Sequence, residues 1–496
     1  MNFRKKTVSV LVLILLMISS LYAGAMGTFT QEDLKELVSS DEKTLHIWYH
    51  DEALTDYLSS AAISYKDKTG IRVVPVLAQG AEYLEQINRA SVSDPENNKK
   101  AADPEDIPDL FLVRNDSLEK AYLAGLAVNT SDPLAILNTE NFSQTALNAV
   151  TYKDKMIGYP LSFETSVLLY NKTYLEEMAK NQILAEQAEA VPEDADTENA
   201  EGETAADAIT EEQIEAKMDE LVPASIDDIL SFADNFDAPE AVEAVFKWDV
   251  SDIFYNYFII GNYMTVGGES GDDPEKISIY NEDTIQCLKV YQNLNQFFSI
   301  DTKEVTYDTV LTDFIDGKIV FSVVTTDAVK KLEDAKTEGL FSYDYGITGI
   351  PSINDERDTR SLSVTSAVAV NGYSKKQTEA ELFASYLTDE YAGQLYEKSG
   401  KPSANLGVIY KNEKMNTTVK EYGHSVSMPK MIATSNFWVQ LEICFTNAWL
   451  GEDVNQLLKQ LSEKIMTQVN GEPYTEEAIV IEETATEEII DEGMDN

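Results

Sequence analysis

The chain has 496 residues, a formal charge of −49, two cysteines and three histidines. That length exceeds what one hydrophobic core serves and suits two or three domains. So few cysteines exclude a disulfide-built scaffold, and Cys287 and Cys444 read as small buried apolar residues, with pairing as the alternative. The acidity argues against nucleic acid or anionic lipid as a partner, since both would be repelled.

The charge is unevenly placed: residues 183–221 carry −13 and residues 471–496 carry −10, leaving −26 for the rest. At the start, Arg4, Lys5 and Lys6 precede an apolar run over residues 8–18 and the small residues Ala23, Gly24 and Ala25, the pattern of a secretory signal over residues 1–25. The run is short for a bilayer, which favours a cleaved peptide, an uncleaved anchor being the alternative. No cysteine follows it for lipid attachment. The expected location is therefore outside the cytoplasm, at the cell surface or in the extracellular or periplasmic space.

From Thr44, TLHIWYH alternates apolar and polar as a strand does, and Leu54, Tyr57, Leu58, Ala61, Ala62 and Tyr65 recur at helical spacing until Thr69-Gly70. IRVVPVL then reads as a second strand, so the three elements form the βαβ unit of a helix-covered parallel sheet. IPDLFLV is a third strand, followed by the polar corner Arg114-Asn115-Asp116 and a helix through Leu118, Ala121 and Tyr122. IGYPLSFETSVLLYNKTYL places a single carboxylate, Glu164, inside an apolar run; a buried carboxylate needs a partner, so Glu164 is either paired or facing a ligand.

Residues 183–221 are low in complexity and read as an acidic insertion, with helix allowed only near residues 210–221. Beyond it the pattern predicts a helix in ASIDDILSFADNF, a packed helix face for Tyr255 and Tyr257 in the aromatic block VFKWDVSDIFYNYFIIGNY, a helix through Ile285 and Leu294, and a strand in GKIVFSVV. YDYGITGIP and SLSVTSAVAV read as strands, residues 377–398 as one long amphipathic helix, residues 436–450 and 454–465 as the last helices, and the tail after Asn470 as loose. Alternating strands and helices on both sides of an insertion predict two α/β lobes, and a cleft at the carboxyl ends of parallel strands is where such folds bind small molecules.

No Gly-rich phosphate loop, Gly-x-Ser-x-Gly elbow or His-Glu-x-x-His helix occurs, and no catalytic residue, metal or cofactor is expected. A sugar site needs flat aromatic surfaces together with carboxylates or amides that accept hydroxyl hydrogen bonds. Asp51 and Glu52 after the first strand, Asp116 after the third, Glu164, Trp248, Asp327 and Trp438 meet that description. Each has a structural reading too: the four aspartate and glutamate residues at strand ends as helix caps or first-turn acids, the tryptophans as core, Glu164 as half of an internal salt bridge.

The order of LHIWYH, KTGIRVVPV, IPDLFLVRND, AGLAVNT, YKDKMIGYPLSFETSVLLYNKTYL, GKIVFSVV, EKSGKPSAN and MPKMIATSNFWVQLEICFTNAWLG resembles the family 1 extracellular solute-binding proteins, the maltose-binding-protein-like receptors of ABC importers. The resemblance implies a two-lobed periplasmic-binding-protein-like (type II) α/β fold, with residues 44–162 plus 363–407 in lobe 1 and residues 163–350 plus 415–468 in lobe 2. Hinges would fall near residues 162–166, 351–363 and 405–415. It implies an oligosaccharide ligand held by Glu164, Asp116, Asp51 or Glu52, and Trp438, a membrane permease as partner, and a monomer that binds by hinge closure. Val113 stands where the family's maltose binder carries a stacking tryptophan and Asp327 stands near another, which implies a differently built oligosaccharide site or a non-sugar ligand. A cell-surface carboxylate-pair glycosidase and a surface sensor or scaffold that has lost transport are the alternatives.

Overall fold

The computed structural model describes residues 44–78, 80, 82–92, 107–189, 209–298 and 300–481, so the signal segment lies outside the described residues. Nine strands, β1 (Thr44–Tyr49), β2 (Arg72–Leu77), β3 (Leu110–Arg114), β4 (Tyr159–Asn171), β5 (Ala244–Phe246), β6 (Ile319–Thr325), β7 (Tyr345–Thr348), β8 (Leu362–Val370) and β9 (Val426–Ser427), form one mixed sheet. Its order is β2-β1-β3-β8-β4-β6-β5, with β7 beside β4 and β9 beside β8.

The first three strands are parallel, as the βαβ pattern predicts, and the helix Thr55–Thr69 between β1 and β2 stops where Gly70 turns left-handed at φ 82°. That conformation costs glycine little, which is why the helix ends there. One strand joins the two halves of the molecule. The first half of β4 pairs antiparallel with β8, Glu164 opposite Val364, and its second half pairs antiparallel with β6, Thr325 opposite Ser166. The sheet is therefore continuous through both lobes.

Two bodies of core flank this shared strand. Leu45, Tyr57, Leu110, Phe163, Val368, Phe383 and Ala404 belong to one, while Val167, Trp248, Phe321, Leu362, Tyr410, Phe445 and Ile465 belong to the other. The chain passes from one core to the other between Phe163 and Val167, between Leu362 and Val368 and between Ala404 and Tyr410, and it returns to the first core at Tyr422 between Met415 and Met428 of the second. Cys287 and Cys444 are free and buried in the second.

Four local expectations are corrected. Tyr255 and Tyr257 lie in two single 3-10 turns rather than on a helix face, because Asp249, Asp252 and Asn256 spend their side chains on local backbone groups: the Asn256 amide donates to the Asp249 and Asp252 carbonyls at 3.1 and 2.6 Å. The long helix breaks after Gln377–Thr388, where Tyr57 donates to the Leu387 carbonyl and Asn405 to the Thr388 carbonyl, so groups from elsewhere take bonds that the helix would continue with. A helix at Lys414–His424, unforeseen, covers the crossover strand with Tyr422. The start of the tail is docked rather than loose: Glu476 accepts from Lys459 and Ser462, and Ile479 binds Tyr280 and Asn455.

Within the acidic insertion, the helix Glu211–Leu221 forms and is stapled at its start by a capping box of Thr210 and Gln213. It lies beside the helix Lys172–Glu189, to which Lys217 reaches through Glu186 at 2.9 Å.

Candidate functional site

Strand pleating decides which way Glu164 points. In β4 it is the one exposed residue among thirteen, because its neighbours are committed to the opposite face. Phe163 stacks on Tyr422 at 4.0 Å, and Thr165 donates to the Leu362 carbonyl. A one-residue slip would bury the charge, so the register is firmly set.

Glu164 opens onto a cavity of about 310 Å³ at the carboxyl ends of β1 and β3. Asp51, Glu52, His50, Arg114 and Lys401 line it with Ser162 and Ser366, over an apolar floor of Leu54, Leu112, Val113 and Val364. Asp51, while lining the cavity, also caps the short 3-10 turn after β1, accepting from the Ala53 N–H at 3.1 Å. Lys401 sits between two carboxylates remote in sequence, its Nζ 2.8 Å from Asp51 Oδ2 and 3.3 Å from Glu164 Oε1. Burial pulls the Lys401 pKa down, but Glu164 and Asp51 outweigh it and leave the ammonium strengthened. His50 has its pKa lowered, chiefly by burial, which favours the neutral ring.

Asp116 stands at the rim, 3.5 Å from Arg114 Nη2, and accepts from Ser117. Carboxylates, guanidinium, ammonium, hydroxyls and a neutral imidazole thus offer both acceptors and donors within one concave surface. Among the described residues, no group of three or more His, Cys, Asp or Glu is placed to hold a metal ion.

A family model described as bacterial extracellular solute-binding protein matches residues 60–420. The chain belongs to that family. Maltodextrin-binding protein MdxE of Bacillus subtilis (strain 168) is 20% identical over 442 residues, covering 87% of this chain and 91% of that protein. The extracellular solute-binding protein of Staphylococcus aureus, solved in complex with maltose, is 18% identical, with a TM-score of 0.65 over 87% of this chain and 99% of that one. The Listeria monocytogenes maltose-binding protein MalE, also solved with maltose, is 19% identical, with a TM-score of 0.64 over 88% of this chain and all (100%) of that one. The fold of this solute-binding protein is accordingly the two-lobed type II one.

In the solute-binding protein, Asp51, Glu52 and Glu164 come together in one cavity, with Asp116 beside its Arg114. Asp327 and Trp438 do not line that cavity, and Trp438 packs against the second core. Asp327 follows β6, where it accepts from Tyr307 and Thr325 at 2.5 and 2.6 Å and pairs with Lys331 at 2.8 Å. Burial raises its pKa, but these partners outweigh burial and leave it lowered. Trp438 is half-buried against Tyr257 and Phe437.

Trp248 is a correction. It is fully buried in the second core, stacked on Phe246 at 4.4 Å, edge-on to Trp449, with its indole N–H donating to Asn256 at 2.8 Å. No face is left for a ligand. The reading missed Lys401, Arg114 and His50. Lys401 lies 237 residues from Glu164, a pairing that leaves no local mark, whereas Arg114 was visible in the polar corner after β3.

Proposed function

We propose that this chain is the receptor of an ABC importer that takes up a neutral oligosaccharide and closes on it about the β4–β8 crossover. Lobe 1 would comprise residues 44–162 plus 363–407 and lobe 2 residues 163–350 plus 415–468. The observation that carries the reading is Glu164: a lone exposed carboxylate on the strand shared by both lobes, facing a cavity rich in paired donors and acceptors. Relatives named for maltodextrin or maltose support a sugar ligand. Export through a leader at residues 1–25 and delivery to a membrane permease would complete the cycle, and membership of an extracellular solute-binding family supports the export.

Ligand contacts that span the lobes exist only in the closed state, so binding energy shifts the hinge equilibrium. Asp51, Glu52 and Glu164 would accept hydroxyl hydrogen bonds, Arg114 and Lys401 would donate, and Trp438 would supply a stacking face from lobe 2. A glycosidase requires a carboxylic acid held protonated in an apolar pocket. Glu164 instead has 50% of its side-chain surface exposed and sits beside an ammonium, which disfavours that role.

Calorimetric titration with a panel of neutral oligosaccharides, beginning with maltose to maltoheptaose, tests the reading alongside a reducing-end assay on the same mixtures. Saturable binding without new reducing ends is expected; turnover, or no binding across the panel, would refute it. Glu164→Gln and Trp438→Ala should each weaken binding by about 1–3 kcal/mol, the worth of a charge-assisted hydrogen bond or a stacking face. Unaltered affinity in both variants would remove them from the site.

A further inference from the structure

Among the described residues, Lys401 is the one group that touches carboxylates from both the β1 end and the crossover strand, and it comes from neither. It follows Gly400, whose left-handed backbone at φ 73° ends the helix Leu395–Ser399, and Pro402 stands next, its carbonyl accepting from the Phe163 N–H at 3.3 Å. The backbone on both sides of the lysine is therefore fixed, and the ammonium is delivered into the cavity by the fold rather than by a freely swinging chain. We propose that Lys401 sets the charge selectivity of the cleft: by neutralising Asp51 and Glu164 it makes the site accept neutral sugars and reject sugars carrying an amine. This inference rests on the sugar-receptor reading.

The other charges lining the cavity sharpen the point. Asp51, Glu52 and Glu164 face two cations, Arg114 and Lys401, and Arg114 is already engaged by Asp116. His50 adds no charge in its neutral form. Without Lys401 the lining would hold three carboxylates against one committed guanidinium, a surface that attracts ammonium groups and leaves Asp51 and Glu164 uncompensated. A ligand ammonium would then occupy the place of the lysine's own. With Lys401 present, the same ammonium meets a like charge, the repulsive element on which specificity often depends.

The test compares maltotetraose with a maltotetraose in which one hydroxyl is replaced by a primary amine, both titrated at pH 6.5 into the wild type, Lys401→Gln, Lys401→Arg, Glu164→Gln and the double variant Lys401→Gln/Glu164→Gln. The readout is the ratio of the two affinities, which a general loss of folding does not move. Lys401→Gln should shift the ratio toward the amine at least tenfold, Lys401→Arg should restore the wild-type ratio, and the double variant should return part of the way because one carboxylate has gone. An unchanged ratio in Lys401→Gln, with binding of either sugar retained, overturns the role of Lys401 alone. Should Lys401→Gln not fold, the Lys401→Arg and Glu164→Gln proteins still decide it: Glu164→Gln must shift the ratio away from the amine, and no shift refutes the proposal. Failure of the wild type to bind either sugar, or any member of the neutral panel, sinks the receptor reading as well.

Discussion

Trp248→Ala is expected to lower the free energy of unfolding by about 3–5 kcal/mol, the range for truncating a large buried aromatic side chain. Trp248 has no exposed surface and contacts Phe246, Phe298 and Trp449, so the variant would leave a cavity among three aromatic rings. It would also orphan the Asn256 side-chain oxygen, which accepts the indole N–H and belongs to a residue tying the 249–256 turn together. Chemical denaturation measures the loss. Ligand affinity of the protein that remains folded should be unchanged, since no atom of Trp248 reaches the cleft. A stable variant with weakened binding would return this tryptophan to the site.

Lys430→Met should flatten the dependence of stability on pH above neutrality. Lys430 is 1% exposed, and its Nζ donates to the Asn148 and Thr151 carbonyls at 2.7 and 2.6 Å. Those carbonyls end the helix Gln144–Val150 of one body, while the neighbouring Met428 and Met431 lie in the core of the other. Burial pushes the Lys430 pKa down to about 7, with Asp272 opposing weakly. An unfolded lysine titrates near 10.4, so from about pH 7 to pH 10 the unfolded chain holds a proton that the native state has released. Stability therefore rises with pH in that window, by up to about 1.4 kcal/mol per unit from this group. Wild type minus Lys430→Met, followed by denaturant unfolding at pH 7, 8 and 9, should show that slope. Parallel profiles would mean that the lysine is not held in a low-dielectric setting.

Much of the fold was legible because its signals are local. Strict alternation marked β1, helical spacing with Thr69-Gly70 marked the first helix and its end, and apolar runs marked β3, β6 and β8. What stayed hidden was decided by contacts remote in the chain. The helix beginning at Gln377 stops because Tyr57 and Asn405 claim two of its carbonyls, and nothing in residues 377–398 announces either. The tail docks because Glu476 meets Lys459 and Ser462.

The site divides in the same way. Glu164 was visible as a charge inside an apolar strand, and Asp51 and Glu52 as acids at a strand end. Lys401 was not, because a lysine beside Gly400 looks like any surface lysine until the fold carries it between two carboxylates. Trp248 misled for the opposite reason: aromatic residues serve a core and a sugar site equally well, and only burial tells them apart.

Small-angle scattering across a titration with the neutral oligosaccharide that gives the largest thermal shift tests the clamshell claim most directly. A saturable fall in radius of gyration is expected, with the midpoint moved about fivefold or more to higher concentration in Glu164→Gln, as a loss of at least about 1 kcal/mol requires. Scattering that stays constant while the sugar binds, or a midpoint indifferent to Glu164, would contradict it.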